Sequence, residues 1–194
     1  MSEFSLYFGL GLDHILDING YDHIMFVIAL SSLYRPESWR QILIMVTAFT
    51  LGHSVTLALA TLKVISFDSS IIEFLIPVTI VFTCFSNLVV SADKVSRRKV
   101  TLNAFYASFF GLIHGMGFSN YLRSLLGQEE SIVMPLFAFN IGLEVGQIII
   151  VAIFLIVSFI FVSIIGVVHR DWKMIISSMV AGIGITLMWD AVYW

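Results

Sequence analysis

Residues 132–168 read IVMPLFAFNIGLEVGQIIIVAIFLIVSFIFVSIIGVV, thirty-seven positions with one charged residue, Glu144. A helix crossing the hydrocarbon core of a bilayer needs about 20 apolar residues. This run is long enough to cross with a tilt or to extend beyond the bilayer. It shows none of the alternation of a membrane β-barrel strand. Working outward, the same pattern recurs at about residues 21–34, 40–62, 71–92, 102–126 and 174–194, with a shorter apolar stretch at 4–16. Asn19-Gly20 reads as a break before the first long run. Trp189, Tyr193 and Trp194 close the last run as an interfacial aromatic anchor.

Composition agrees with this reading. Of 194 residues, 59% are hydrophobic and 12% charged, against about 45–50% and about 25% in soluble domains. That excludes disorder, nucleic-acid binding through a basic surface, and an ordinary cytosolic enzyme. Six helices would use roughly 120 residues, leaving short connections and no second soluble domain. The expected architecture is all-α: one compact helical transmembrane domain over residues 1–194, with about six membrane helices. The single Cys84 has no disulfide partner. Residues 1–7 lack the basic segment of a cleavable signal peptide.

Eight basic residues fall in the loops on one side: Arg35, Arg40, Lys94, Arg97, Arg98, Lys99, Arg170 and Lys173. The other side has Lys63 and Arg123. The positive-inside bias puts both termini outside the cytoplasm, and the expected location is a bacterial cytoplasmic (inner) membrane. Asp13, Asp17, Asp22, Asp68, Glu73, Glu129 and Glu130 gather on the outer side, an acidic mouth that would attract cations.

Ionisable groups inside hydrocarbon are costly and mark functional sites. The first cluster holds His14, Asp22 and His23, at the outer entrance of the first long helix. The second, Thr50-Leu51-Gly52-His53-Ser54, places Thr50, His53 and Ser54 on one helix face. The third, FGLIHGMGF at 110–118, sets His114 beside glycines spaced four apart, which lets helices approach closely. The fourth, FNIGLEVGQ at 139–147, puts Asn140, Glu144 and Gln147 on one stripe of a greasy helix. An ionised glutamate at that depth costs at least ~2.5–3.5 kcal/mol and must be protonated, paired or metal-bound. Glu73 and Asn87 share a face of the third run with Pro77. His169 reads as a solvated residue of a basic loop.

One outward-opening pocket explains these clusters together. The expected metal ligands are His14, Asp22, His23, His53, His114 and Glu144, with Thr50, Ser54, Glu73, Asn87, Asn140 and Gln147 as a supporting polar shell. Imidazoles with carboxylates suit nickel, cobalt or zinc; calcium would want more oxygen ligands.

The stretches His14–Leu30 with its Asp22-His23 pair, Ala48–Leu57, Ile72–Ile76, Phe110–Phe118 and Phe139–Gln147, in this order, resemble the HupE/UreJ family of small membrane proteins. The resemblance implies a polytopic helical bundle associated with nickel uptake for hydrogenase or urease. It carries the family's metal-linked histidine and Asp-His motif onto His14, Asp22 and His23. Seven residues separate His14 from Asp22, where the family's usual motif has five; the extra pair is expected to be taken up at Asn19-Gly20.

The leading expectation is therefore a divalent transition-metal transporter whose partners are the metal ion and the lipid bilayer, with a protein partner or oligomer open and nucleic acid excluded. The alternative is an intramembrane zinc-dependent metalloenzyme, a hydrolase, using the same His/acid cluster. A metal-sensing or assembly subunit is the third reading.

Overall fold

The computed structural model describes residues 2–90, 97–126 and 131–193, and the side chains of all of these except 97–99, 123 and 126. The expectations for Lys94, Glu129, Glu130 and Trp194 lie outside the described residues, as do those for the side chains of Arg97, Arg98, Lys99 and Arg123.

Among the described residues there is no strand. The helices are α1 (Glu3–Leu16), α2 (Asp22–Ser32), α3 (Trp39–Thr61), α4 (Ser69–Val89), α5 (Arg97–Gly117), α6 (Ser119–Leu126), α7 (Val133–Phe159) and α8 (His169–Asp190). Local chemistry sets several ends. The Ser2 hydroxyl caps α1 by accepting from the Ser5 amide, and the Asp68 carboxylate caps α4 by accepting from that of Ser70. After Leu16, the Asp17 carboxylate accepts from the Asn19 amide at 2.8 Å. This local turn competes with the helix and ends it. Pro77 sits inside α4 without ending it. α7 runs on through a π turn, Ile160–Ile164, to Gly166 at φ +84°, a left-handed backbone that glycine adopts without a Cβ penalty.

Among the described residues, four segments are long and apolar enough to cross a membrane: Pro36–Thr61, Ser69–Val89, Val133–Ile164 and His169–Asp190. α5 matches α4 in length, 21 residues each, but is diluted by Asn103, His114 and its glycines. The apolar run expected at 102–126 is two helices, α5 and α6, rather than one. Gly115 and Gly117 weaken the helix there, and the ring of Phe118 turns inward onto His14 and Phe139, with centroids at 4.0 and 5.2 Å.

Glycines decide which helices touch. A Cβ built on Gly52 would lie 2.0 Å from the Ser108 carbonyl oxygen, and one on Gly111 2.2 Å from that of Phe49. α3 and α5 therefore run parallel in backbone contact. α1 and α7 do the same: a Cβ on Gly11 would lie 2.1 Å from the Phe139 oxygen, and one on Gly142 2.2 Å from that of Phe8. α4 pairs antiparallel with α8 through Gly184 beside Val81. Residues 4–16 thus pack along α7 with one face, Tyr7, Gly11 and Ile15, buried.

The strand of contacts also orders the directions. α3 opposes α7, with Ser54 bonded to Asn140 and Thr47 to Glu144. α5 opposes α4, with His114 bonded to Thr79 and Phe110 against Phe82. α2 runs along α4, where Asn87 donates to the Ala29 oxygen and the Ser32 hydroxyl. α1 and α2 consequently point the same way, on either side of the irregular stretch 17–21. Phe26, Met45, Phe49 and Phe139 fill the core between the pairs.

Candidate metal centre

Five of the six expected ligands come together. Ligand atoms of His14, His23 and His53 lie within 4.8 Å of one another, and so do those of Asp22, His23 and His114. His23 is common to both groups. The rings of His14 and His23 are 4.7 Å apart, those of His23 and His114 5.0 Å, and His53 lies 5.9 Å from both His14 and His23. Two ligands on one ion at about 2.1 Å stand at most about 4.2 Å apart, a little less than the 4.8 Å that bounds the ligand atoms of each group.

The break at 17–21 makes this possible. It lets the last turn of α1 carry His14 and the first turn of α2 carry Asp22 and His23 to the same place. The seven-residue spacing is thereby absorbed in loop. The close approach of α3 and α5 supplies the other half: Gly115 abuts the His53 carbonyl, which brings the turn that carries His114 against the turn that carries His53. Phe26, Phe49, Phe118 and Phe139 wall the chamber.

Partners orient two of the rings. His23 Nδ1 lies 3.2 Å from Asp22 Oδ1, and His114 Nε2 lies 2.9 Å from Thr79 Oγ1. The opposite nitrogens, His23 Nε2 and His114 Nδ1, are buried with no hydrogen-bond partner, as are His14 Nε2 and both nitrogens of His53. His53 and His114 are fully buried. An unsatisfied buried polar atom costs about 1–3 kcal/mol, and five in one chamber are a large standing cost. A cation bound to one lone pair on each ring removes most of it. The second-contact partner matters too: we expect Thr79→Val to weaken metal binding by about 10–100-fold, measured by equilibrium dialysis against nickel, with an unchanged unfolding midpoint showing that the fold survives.

Beside Asp22 a cavity of about 370 Å³ opens, bounded by Asn19, Glu73, Pro77 and Asp190. Its three carboxylates make an electronegative approach to the histidines. Glu73 is exposed there, as a residue of the mouth. Asp190 and Thr79 were not singled out from sequence. Thr79 is an uncharged residue inside an apolar run; Asp190 gave no sign beyond its place at the end of the last run.

The remaining expected residues lie elsewhere. Glu144 belongs to neither ligand group; its carboxylate accepts from Thr47. Asn140 pairs with Ser54 and Gln147 with Thr50. Asn87 is buried between α2 and α4. The Ser54 hydroxyl faces the Thr50 carbonyl and Asn140, and no serine–histidine couple forms with it. His169, expected in solvent, is instead buried, because α8 begins at this residue and packs its first turn inward.

An all-helical protein with membrane-crossing segments and a buried histidine–aspartate chamber defines the class: an integral membrane protein with a potential metal-binding pocket. The family model described as HupE / UreJ protein matches residues 1–192, and the chain belongs to that family. No curated protein and no solved structure matches it.

Proposed function

We propose that the protein carries a divalent transition metal, nickel, across the membrane. The observation that supports this most is the meeting of four histidines, with five unpartnered ring nitrogens among them, beside Asp22. Nitrogen-rich donor sets favour nickel, cobalt and zinc over magnesium or calcium, and the family is associated with metal uptake. His14, Asp22, His23, His53 and His114 are the ligands on this reading. The acidic cavity at Glu73 and Asp190 is the way in.

The fold is read as six crossings: α3, α4, α5, α7, α8, and α1 with α2 as one interrupted crossing. Both termini lie on the non-cytoplasmic side, as the basic loops suggest, and the membrane is a bacterial inner membrane. An interrupted helix is tolerated at membrane depth where its loose backbone lines a cavity, which is where residues 17–21 sit. The α1 carbonyl end, the negative end of its dipole, also ends near the chamber.

The test is flux. In liposomes carrying an internal nickel indicator, the wild type is expected to admit nickel at least ~10-fold faster than a His53→Ala/His114→Ala variant. Equal rates would defeat the proposal.

A further inference from the structure

The cavity beside Asp22 has a counterpart at the other end of the same helices. A second cavity, of about 50 Å³, lies where α2, α4 and α5 meet, with Tyr34, Thr83, Asn87, Asn103 and Phe110 in its wall. The acidic mouth is built on the first residue of α2, Asp22, and on the second turn of α4, at Glu73. Tyr34 instead follows the end of α2, Asn87 belongs to the last turn of α4, and Asn103 to the second turn of α5. We propose that this cavity is a water-filled vestibule on the membrane face opposite the acidic mouth, in which metal leaving the histidine chamber takes up water. The metal's passage rests on the transport reading; the vestibule itself does not.

Three observations carry this. First, the space is roomy and polar. One water needs about 10–15 Å³ of such volume, so the cavity holds a few. Tyr34, Thr83 and Asn87 are buried around it, although polar side chains are costly among apolar helices. Hydrogen bonds hold them there: Asn103 Nδ2 donates to the Tyr34 hydroxyl at 3.0 Å, and Asn87 Nδ2 to the Ala29 carbonyl at 2.7 Å.

Second, two helices lead from the chamber to the cavity. On α5, His114, Phe110, Ala107 and Asn103 are spaced four, three and four residues apart, the spacing of one helix face. Asn103 therefore lies below His114, about 16 Å along the axis. On α4, Thr79 bonds His114, and the Thr83 hydroxyl, one turn on, donates to the Thr79 carbonyl at 2.8 Å.

Third, the partition is one layer of rings. Phe110 lines the cavity and sits one turn, about 6 Å, from His114. Its ring lies 6.0 Å from that of Phe26, which lies 5.0 Å from that of His114. Phe26 and Phe110 are the gate on this account. The chemistry below it suits release. Among the described residues lining the cavity none is charged, and neutral oxygens hold nickel more weakly than imidazoles do. A path must bind weakly enough at its exit for the ion to leave.

The experiment has two arms. In a Cys84→Ala background, Asn103→Cys and Glu73→Cys are exposed to a membrane-impermeant maleimide on one side of sealed vesicles at a time. Each should react from one side only, and the two from opposite sides. Modification of Asn103→Cys from neither side, or from the same side as Glu73→Cys, would overturn the vestibule. In liposomes with an internal nickel indicator, Thr83→Val/Asn103→Leu should admit nickel about tenfold more slowly than the wild type. Its nickel affinity by equilibrium dialysis should stay within about twofold, with an unchanged unfolding midpoint. Wild-type flux in that variant would overturn the passage. A wild type that admits no nickel would remove the transport reading, and the passage with it, while the cysteine pair still decides the vestibule.

Discussion

Replacing His23 with alanine is expected to lower nickel affinity at least ~100-fold, about 2.7 kcal/mol. The size follows from position. His23 is the residue common to both ligand groups, and its ring sits within 5.9 Å of His14, His53 and His114. Its Nδ1 is held by Asp22, which leaves Nε2 for the metal. Removing the ring takes away a ligand and releases the Asp22 carboxylate from its partner. Asp22→Asn keeps the shape and loses the charge, so its effect should be smaller but still tenfold or more. Equilibrium dialysis of purified protein with nickel measures both. A His23→Ala affinity within about threefold of wild type would show that the chamber does not bind the metal.

The second large effect is on folding. Gly52→Ala places a Cβ 2.0 Å from the Ser108 carbonyl oxygen, more than an ångström inside contact distance. The obstacle is backbone on a neighbouring helix, so no rotamer change relieves it. α3 and α5 must separate, at a cost on the order of 3 kcal/mol or more, and His53 and His114 move apart with them. Gly182→Ala is the control. Gly182 lies inside α8 with nothing within 4 Å of an added Cβ, so alanine there should stabilise by about 0.5–1 kcal/mol through helix propensity. The two variants should shift the unfolding midpoint in opposite directions. Equal shifts would mean that the α3–α5 contact is not as close as described.

The histidine chamber was legible in the sequence because ionisable residues stand out against hydrocarbon. His14, Asp22, His23, His53 and His114 could each be named from sequence alone. The glycine spacings were equally legible, but spacing does not say which helices pair. That Gly142 meets α1 while Gly111 meets α3 depends on the tertiary arrangement. The break at Asn19-Gly20 was readable from turn chemistry, yet its consequence was not: α1 and α2 point the same way only because each packs against a different neighbour. Helical periodicity put Asn140, Glu144 and Gln147 on one stripe, but left open what the stripe faces. The structure turns it towards Thr47, Thr50 and Ser54. Thr79 escaped notice because a hydroxyl in an apolar run carries no charge, and His169 because its burial depends on where α8 begins. The split at Phe118 was hidden by an apolar pattern that continues across it.

On the reading proposed above, side chains distant in sequence close on one cation in a chamber walled by phenylalanines. X-ray absorption at the nickel edge, on protein loaded with nickel after removal of excess metal, tests it most directly. The expected spectrum is dominated by at least three imidazole nitrogens at about 2.1 Å, and is lost on His23→Ala. Nickel bound by water and carboxylate oxygen alone, with the same spectrum in His23→Ala, would contradict it.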